Sequence, residues 1–113
     1  MRWFLRSKIH KAIVTEASKD YIGSITIDSG LAEKVDLREG EKVLVTDNTN
    51  GFRLETYVIL GEKDSGVICM NGPAAHLIKK GDEVIIMGFE LSDKEIKSKK
   101  ILVDKNNKFE KFI

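Results

Sequence analysis

Six stretches of the chain concentrate β-branched and apolar residues at strand-like spacing. They are 9–15 (IHKAIVT), 22–27 (IGSITI), 42–46 (KVLVT), 53–60 (RLETYVIL), 67–70 (VICM) and 83–89 (EVIIMGF). Helical signals are few. Asp28-Ser29 can cap one or two turns through LAEKV, where Leu31 and Val35 share a face. Asn71-Gly72-Pro73 reads as a second helix start, with proline at the first helical position and AAHLI behind it. SDKEIKSKK, from Ser92, is a third helix candidate. The closing segment ILVDKNNKFEKFI reads as strand, Asn-Asn turn, strand. Many short strands with two or three small helices predict a mainly β fold, a barrel or a sandwich.

A faint repeat runs through this pattern. Leu37-Arg38-Glu39-Gly40-Glu41 leads into KVLV as Ile78-Lys79-Lys80-Gly81-Asp82 leads into EVII. Convergent turn chemistry accounts for it, since glycine followed by an acid commonly opens a strand. A barrel of two related halves accounts for it equally.

Composition narrows the function. The 113 residues suit a single domain, 1–113, and 42% hydrophobic with 33% charged residues suits a folded globular chain. Nineteen basic residues against 18 acidic ones leave a net charge of +1. That balance disfavours a dedicated nucleic-acid binder and a polybasic membrane anchor. Seven lysines fall from residue 93 onward, but four acids accompany them. The apolar run Trp3-Phe4-Leu5 is too short for a signal-peptide core, and no stretch reaches membrane-span length. One cysteine, Cys69, excludes an internal disulfide and fits a cytoplasmic setting. A chain this short buries a modest share of its surface, so oligomerisation is expected.

Familiar catalytic arrangements are absent. Two histidines, His10 and His76, do not make a histidine metal site, and no dinucleotide, phosphate-loop or serine-hydrolase motif occurs. Cys69, within GVICM, reads as a core residue rather than a nucleophile. Three polar clusters remain. Gly23-Ser24 interrupts a β-rich run, placing a hydroxyl next to an unshielded glycine carbonyl. Asn50-Gly51 is a hairpin turn, after which Arg53, Glu55 and Tyr57 point one way and Leu54 and Thr56 the other. By itself that pattern reads as a solvated face. Asn71-Gly72-Pro73-Ala74-Ala75-His76 leaves the N–H groups of a helix start unshielded, or is simply an ordinary capped turn.

Together, Lys8-Ile9-His10, YIGSITID, NGFRLETY, GVICMNGPAAH and KGDEVII resemble the pyruvoyl-dependent aspartate 1-decarboxylases, in order and over roughly residues 1 to 90. The resemblance implies a six-stranded double-psi β-barrel assembled as a homotetramer, with active sites between subunits. It implies a lyase that decarboxylates L-aspartate to β-alanine and CO2, supplying pantothenate and coenzyme A synthesis. The chain would be made as a zymogen and cut itself between Gly23 and Ser24, into 1–23 and 24–113. Ser24 would become a covalent pyruvoyl group, the electron sink that loss of an α-carboxylate requires. The amine of aspartate would join that ketone as a Schiff base.

Roles follow by resemblance. Thr56 would donate to the oxyanion of processing, with His10 and Tyr21 assisting. Tyr57 would return a proton to the α-carbon. Arg53 would grip the carboxylate that is retained, since clamping the departing one would stabilise the ground state. Lys8 would help neutralise the substrate's charge, and Asn71, Gly72, Ala74 and Ala75 would line the binding site. No metal is implied, and a maturation factor is a further partner to test for.

Ser7 stands where relatives usually carry glycine, Pro73 where they carry alanine, and Thr46 where some carry tryptophan. Proline has no N–H, so any substrate contact from that amide is lost. His76 falls at a variable position and takes no role. Two rivals stand beside this reading: an oligomeric DNA-binding barrel, which the charge balance disfavours, and a barrel of this family that does not process itself.

Overall fold

The computed structural model describes all 113 residues. Nine strands form: β1 (Arg2–Ile13), β2 (Glu16–Ser18), β3 (Ser24–Asp28), β4 (Lys42–Asp47), β5 (Arg53–Gly61), β6 (Ile68–Asn71), β7 (Glu83–Ser92), β8 (Lys99–Val103) and β9 (Phe109–Phe112). One short helix, α1 (Ser29–Lys34), follows β3, and a 3-10 turn over Gly72–His76 follows β6. All six anticipated strands are present. Asp28 caps α1 through Gly30 N–H at 2.8 Å, and its carboxylate also accepts from Asp64 and Gly66 N–H, tying the helix to the loop before β6.

The hydrogen-bonding order is β2–β6–β3–β5–β4–β7–β1–β8–β9. β1 runs through Val14 and Thr15 directly into β2, so the two ends of the run from β2 to β1 are one piece of chain. That continuity wraps six strands into the arrangement of a double-psi β-barrel. β3 pairs β5 in parallel and β6 antiparallel, while β4 lies antiparallel between β5 and β7. The interior is aliphatic: Ile9, Ile25, Ile27, Val45, Met70 and Ile86 are fully buried.

The repeat is structural. Gly40 and Gly81 both take positive φ, +80° and +92°. Gly40 N–H donates to Val58 O and Val58 N–H to Glu41 O, at 2.8 and 2.9 Å. Gly81 N–H donates to Val14 O and Val14 N–H to Asp82 O, at the same two distances. In each turn the acid's carboxylate accepts from the basic residue's N–H, Arg38 or Lys79, at 3.0 Å. Equivalent loops open β4 and β7, which favours two related halves over convergent turns.

Four expectations need correction. The first strand begins at Arg2, seven residues early, because β7 extends to Ser92 and pairs the whole N-terminal run. The strand expected from Ile22 begins at Ser24. AAHLI forms a 3-10 turn, not an α-helix. No helix follows Ser92, since that segment has one apolar residue, Ile96, and no buried face to offset nucleation. The last segment is the expected hairpin. Asn107, in its turn at φ +59°, accepts from Ile13 N–H at 2.7 Å and donates to the Ile13 and Gly66 carbonyls at 2.8 Å.

Candidate active site

Ser24 opens β3 and is completely buried. Across the β3–β6 ladder it faces Asn71, the last residue of β6. Asn71 Nδ2 donates to Ser24 Oγ at 2.8 Å and to Thr26 Oγ1 at 3.0 Å. Asn71 Oδ1 accepts from Cys69 Sγ at 3.1 Å. Ser24 Oγ also lies 3.5 Å from the Ile22 carbonyl oxygen.

Gly23 rests on the next residue of that same strand end. Gly72 adopts φ +70°, and a Cβ there would fall 2.6 Å from Gly23 Cα and 2.9 Å from the Tyr21 carbonyl oxygen. No side chain fits between the two backbones, so glycine is required at 72. Pro73 closes the other side, its Cδ 3.5 Å from where a Gly23 Cβ would stand. Ala74 and Ala75 continue the turn, Ala75 buried. The preceding residues are open to solvent, the Tyr21 side chain 64% exposed.

β5 supplies the neighbouring edge. Ile25 pairs with Val58, so Ser24 and Tyr57 stand side by side at the end of the parallel ladder. Thr56 precedes Tyr57 and is half-buried, whereas Tyr57 is 39% exposed. Arg53, Glu55 and Tyr57 are exposed and Leu54 and Thr56 are not, so the two faces of β5 divide as the sequence predicts.

Arg53 and Lys8 lie away from this corner, and His10 lies on β1. Arg53 is four residues before Tyr57, about 13 Å along the strand. Lys8 sits on β1, reached from Glu55 across Leu44 and Met87. Neither Arg53 nor Lys8 forms an ion pair. Beside Arg53 runs a groove of about 860 Å³, bordered by Trp3, Glu41, Lys42, Leu44, Leu54, Glu55 and Phe89. It does not include Ser24. His10, next to the β1 bulge, has a buried Nδ1 without a partner. Burial, with the Lys8 and Lys11 ammonium groups beside it, holds its pKa below the usual histidine value and favours the neutral ring. No cluster of histidines, cysteines and acids has metal-binding geometry.

Sequence reasoning missed Thr26 and the contact made by Cys69. Both were accessible through strand periodicity: Thr26 is two residues past Ser24 and Cys69 two residues before Asn71, each on its partner's face. Cys69 is buried, and burial pushes its thiol up, away from nucleophilic use.

A family profile for aspartate decarboxylase matches residues 1–110. Aspartate 1-decarboxylase of Acetivibrio thermocellus is 53% identical over 108 residues, covering 92% of this chain and 86% of that one. The protein of the same name from Neisseria meningitidis is 49% identical over 116 residues, 99% of this chain and 91% of its own. That of Clostridium botulinum is 59% identical over 85 residues, 75% and 67% of the two chains. With the whole barrel and its Gly23-Ser24 and Asn71-Gly72 corner inside the matched span, the chain belongs to the aspartate decarboxylase family.

Proposed function

We propose that this chain cuts itself between Gly23 and Ser24 and then decarboxylates L-aspartate to β-alanine and CO2. One observation carries the reading: Ser24 Oγ is buried and held by Asn71, while the peptide before it is pressed onto Gly72. The serine closes on its own backbone. Oγ adds to the Gly23 carbonyl carbon and the amide C–N bond breaks, leaving an ester and a free amine. Loss of the Cα proton and of the Cβ–Oγ bond gives a Gly23 carboxylate and dehydroalanine at 24. Water releases ammonia and leaves a ketone. The products are 1–23 and 24–113. Thr56 is the donor to the oxyanion of the first step, with His10 and Tyr21 assisting.

A ketone at position 24 supplies the sink for the electrons of the departing α-carboxylate. The corner fits such a group: it is buried, carries a hydrogen-bond donor in Asn71 and holds no competing acid. Tyr57, alongside Ser24, donates the proton to the α-carbon. Arg53 grips the retained carboxylate, Lys8 offsets the remaining charge, and Asn71, Gly72, Ala74 and Ala75 form the wall against which the substrate lies. The 3-10 turn offers little of the helix-end field, so that wall acts by shape and individual N–H groups.

The exposed apolar groove beside Arg53 supports a homotetramer in which a second protomer completes the site. Native mass spectrometry should give four times the protomer mass. No helix is long and apolar enough to cross a membrane; the cytoplasm is the proposed compartment. Intact mass spectrometry of aged protein tests the cleavage. Two fragments are expected, the larger lighter than simple hydrolysis gives by one ammonia, and Ser24→Ala should remain one inactive chain. An uncut wild type, with or without a maturation factor from a producing cell, refutes the scheme.

A further inference from the structure

We infer that Cys69 is a positioning residue for self-cleavage: by donating its S–H to Asn71 Oδ1, it fixes which end of that amide faces Ser24. The inference rests on the cleavage proposed above. Ser24 faces Asn71 and Thr26 faces Cys69 across one antiparallel ladder, so four side chains meet on a single face. Ser24, Cys69 and Asn71 are all buried. Within the cluster Asn71 Nδ2 uses one hydrogen on Ser24 Oγ, at 2.8 Å, and the other on Thr26 Oγ1, at 3.0 Å. Its oxygen takes the thiol, at 3.1 Å.

The alternative orientation of Asn71 would turn its NH2 group onto sulfur. Sulfur is a weak acceptor, and a buried N–H without a good partner is costly. Each hydroxyl can accept as well as donate, so Ser24 and Thr26 do not choose between the two orientations. The thiol does choose. Burial, with Glu16 nearby, pushes its pKa up and keeps the hydrogen on sulfur.

The chosen orientation matters at the elimination step. As the Cα proton of residue 24 passes to water and the Cβ–Oγ bond breaks, Oγ keeps the electron pair and becomes an oxygen of the Gly23 carboxylate. An N–H already aimed at Oγ stabilises that charge as it grows. A carbonyl oxygen aimed there would oppose it. Cys69 touches neither reacting atom and acts only through Asn71.

Freshly made precursors of wild type, Cys69→Ala and Cys69→Ser are compared by mass spectrometry for the first-order appearance of fragment 24–113. Alanine and serine there differ only in a hydroxyl that can take over the donation. Cleavage by Cys69→Ala should slow about three- to tenfold, and Cys69→Ser should cut within about twofold of wild type. A merely structural cysteine would give two variants that match. If Cys69→Ala fails to fold, Cys69→Val, which fills the space without a donor, takes its place. Equal rates in wild type and the donor-free variant overturn the thiol's role while leaving cleavage intact. Equal slowing of the serine and donor-free variants overturns it too. A wild type that never cuts removes the cleavage reading itself.

Discussion

The corner at Ser24 and the face at Arg53 are built on opposite logic. At the corner the side chains of Ser24, Asn71, Thr26 and Cys69 bond to one another within this chain, and the backbone packs so closely that Gly72 admits no side chain. At the face, Arg53 and Lys8 have no ionic partner, and Trp3, Phe89 and Leu91 are 70%, 38% and 42% exposed. A buried, fully bonded cluster holds a geometry before any substrate arrives. An open face of mixed charge with apolar neighbours holds nothing until something is added. On the proposed function, self-cleavage would belong to the corner and substrate recognition to the face.

Substitutions can pull these two regions apart. The largest separation is expected at Tyr57, which stands at their junction. Tyr57→Phe should cut normally, yet kcat should fall about 10²- to 10⁴-fold, the range for loss of a proton donor. A normal kcat removes Tyr57 as the acid. Next, Arg53→Ala should also leave cleavage untouched, since the guanidinium lies far along β5. It should raise KM for aspartate about 10- to 100-fold, as loss of a charged hydrogen-bonding partner does. Unchanged KM and kcat would move the carboxylate site elsewhere.

The smallest effect tests whether the barrel around both regions is as well satisfied as the corner. Asp47, at the end of β4, has a buried Oδ2 without a partner. Burial raises its pKa, Asp82 raises it further, and the Thr49 and Asn50 N–H groups oppose the shift. Because the folded pKa lies above the unfolded one, the stability it lends is complete below the unfolded value. That stability is lost as pH rises through the folded value. Asp47→Asn keeps an acceptor for both N–H groups and carries no charge. It should be more stable than wild type at neutral pH by about 1 kcal/mol, with the advantage vanishing in acid. Urea unfolding at two pH values measures this, and an equal difference at both would deny the titration.

Much of this was legible in the chain. Runs such as KVLVT and RLETYVIL are rich in β-branched and apolar residues because one face of each strand is buried, so their extents are within a residue or two. The N-terminal extension was hidden because Arg2 and Arg6 break its apolar pattern, and only pairing with β7 makes it a strand. SDKEIKSKK carries helix-compatible charges, but charge spacing without a buried stripe does not hold a helix. At the site, Ser24 and Asn71 were readable as separate motifs. Their bond to one another, and the Cys69 contact behind it, arise from the β3–β6 register, which pairs residues 47 apart in sequence.

β1 has a ladder on each edge, to β7 and to β8, and its Ile9 and Ala12, with Val14 just beyond, are sealed in the interior. Asn107 fastens its last residue, Ile13, from the far end of the chain. If the chain is cut after Gly23 as proposed, the small peptide would be held without a covalent link, by these contacts together with the β2–β6 ladder and the ion pairs of Arg6. Melting the mature molecule is then also a dissociation, so its midpoint should depend on protein concentration and its refolding on the two pieces meeting again.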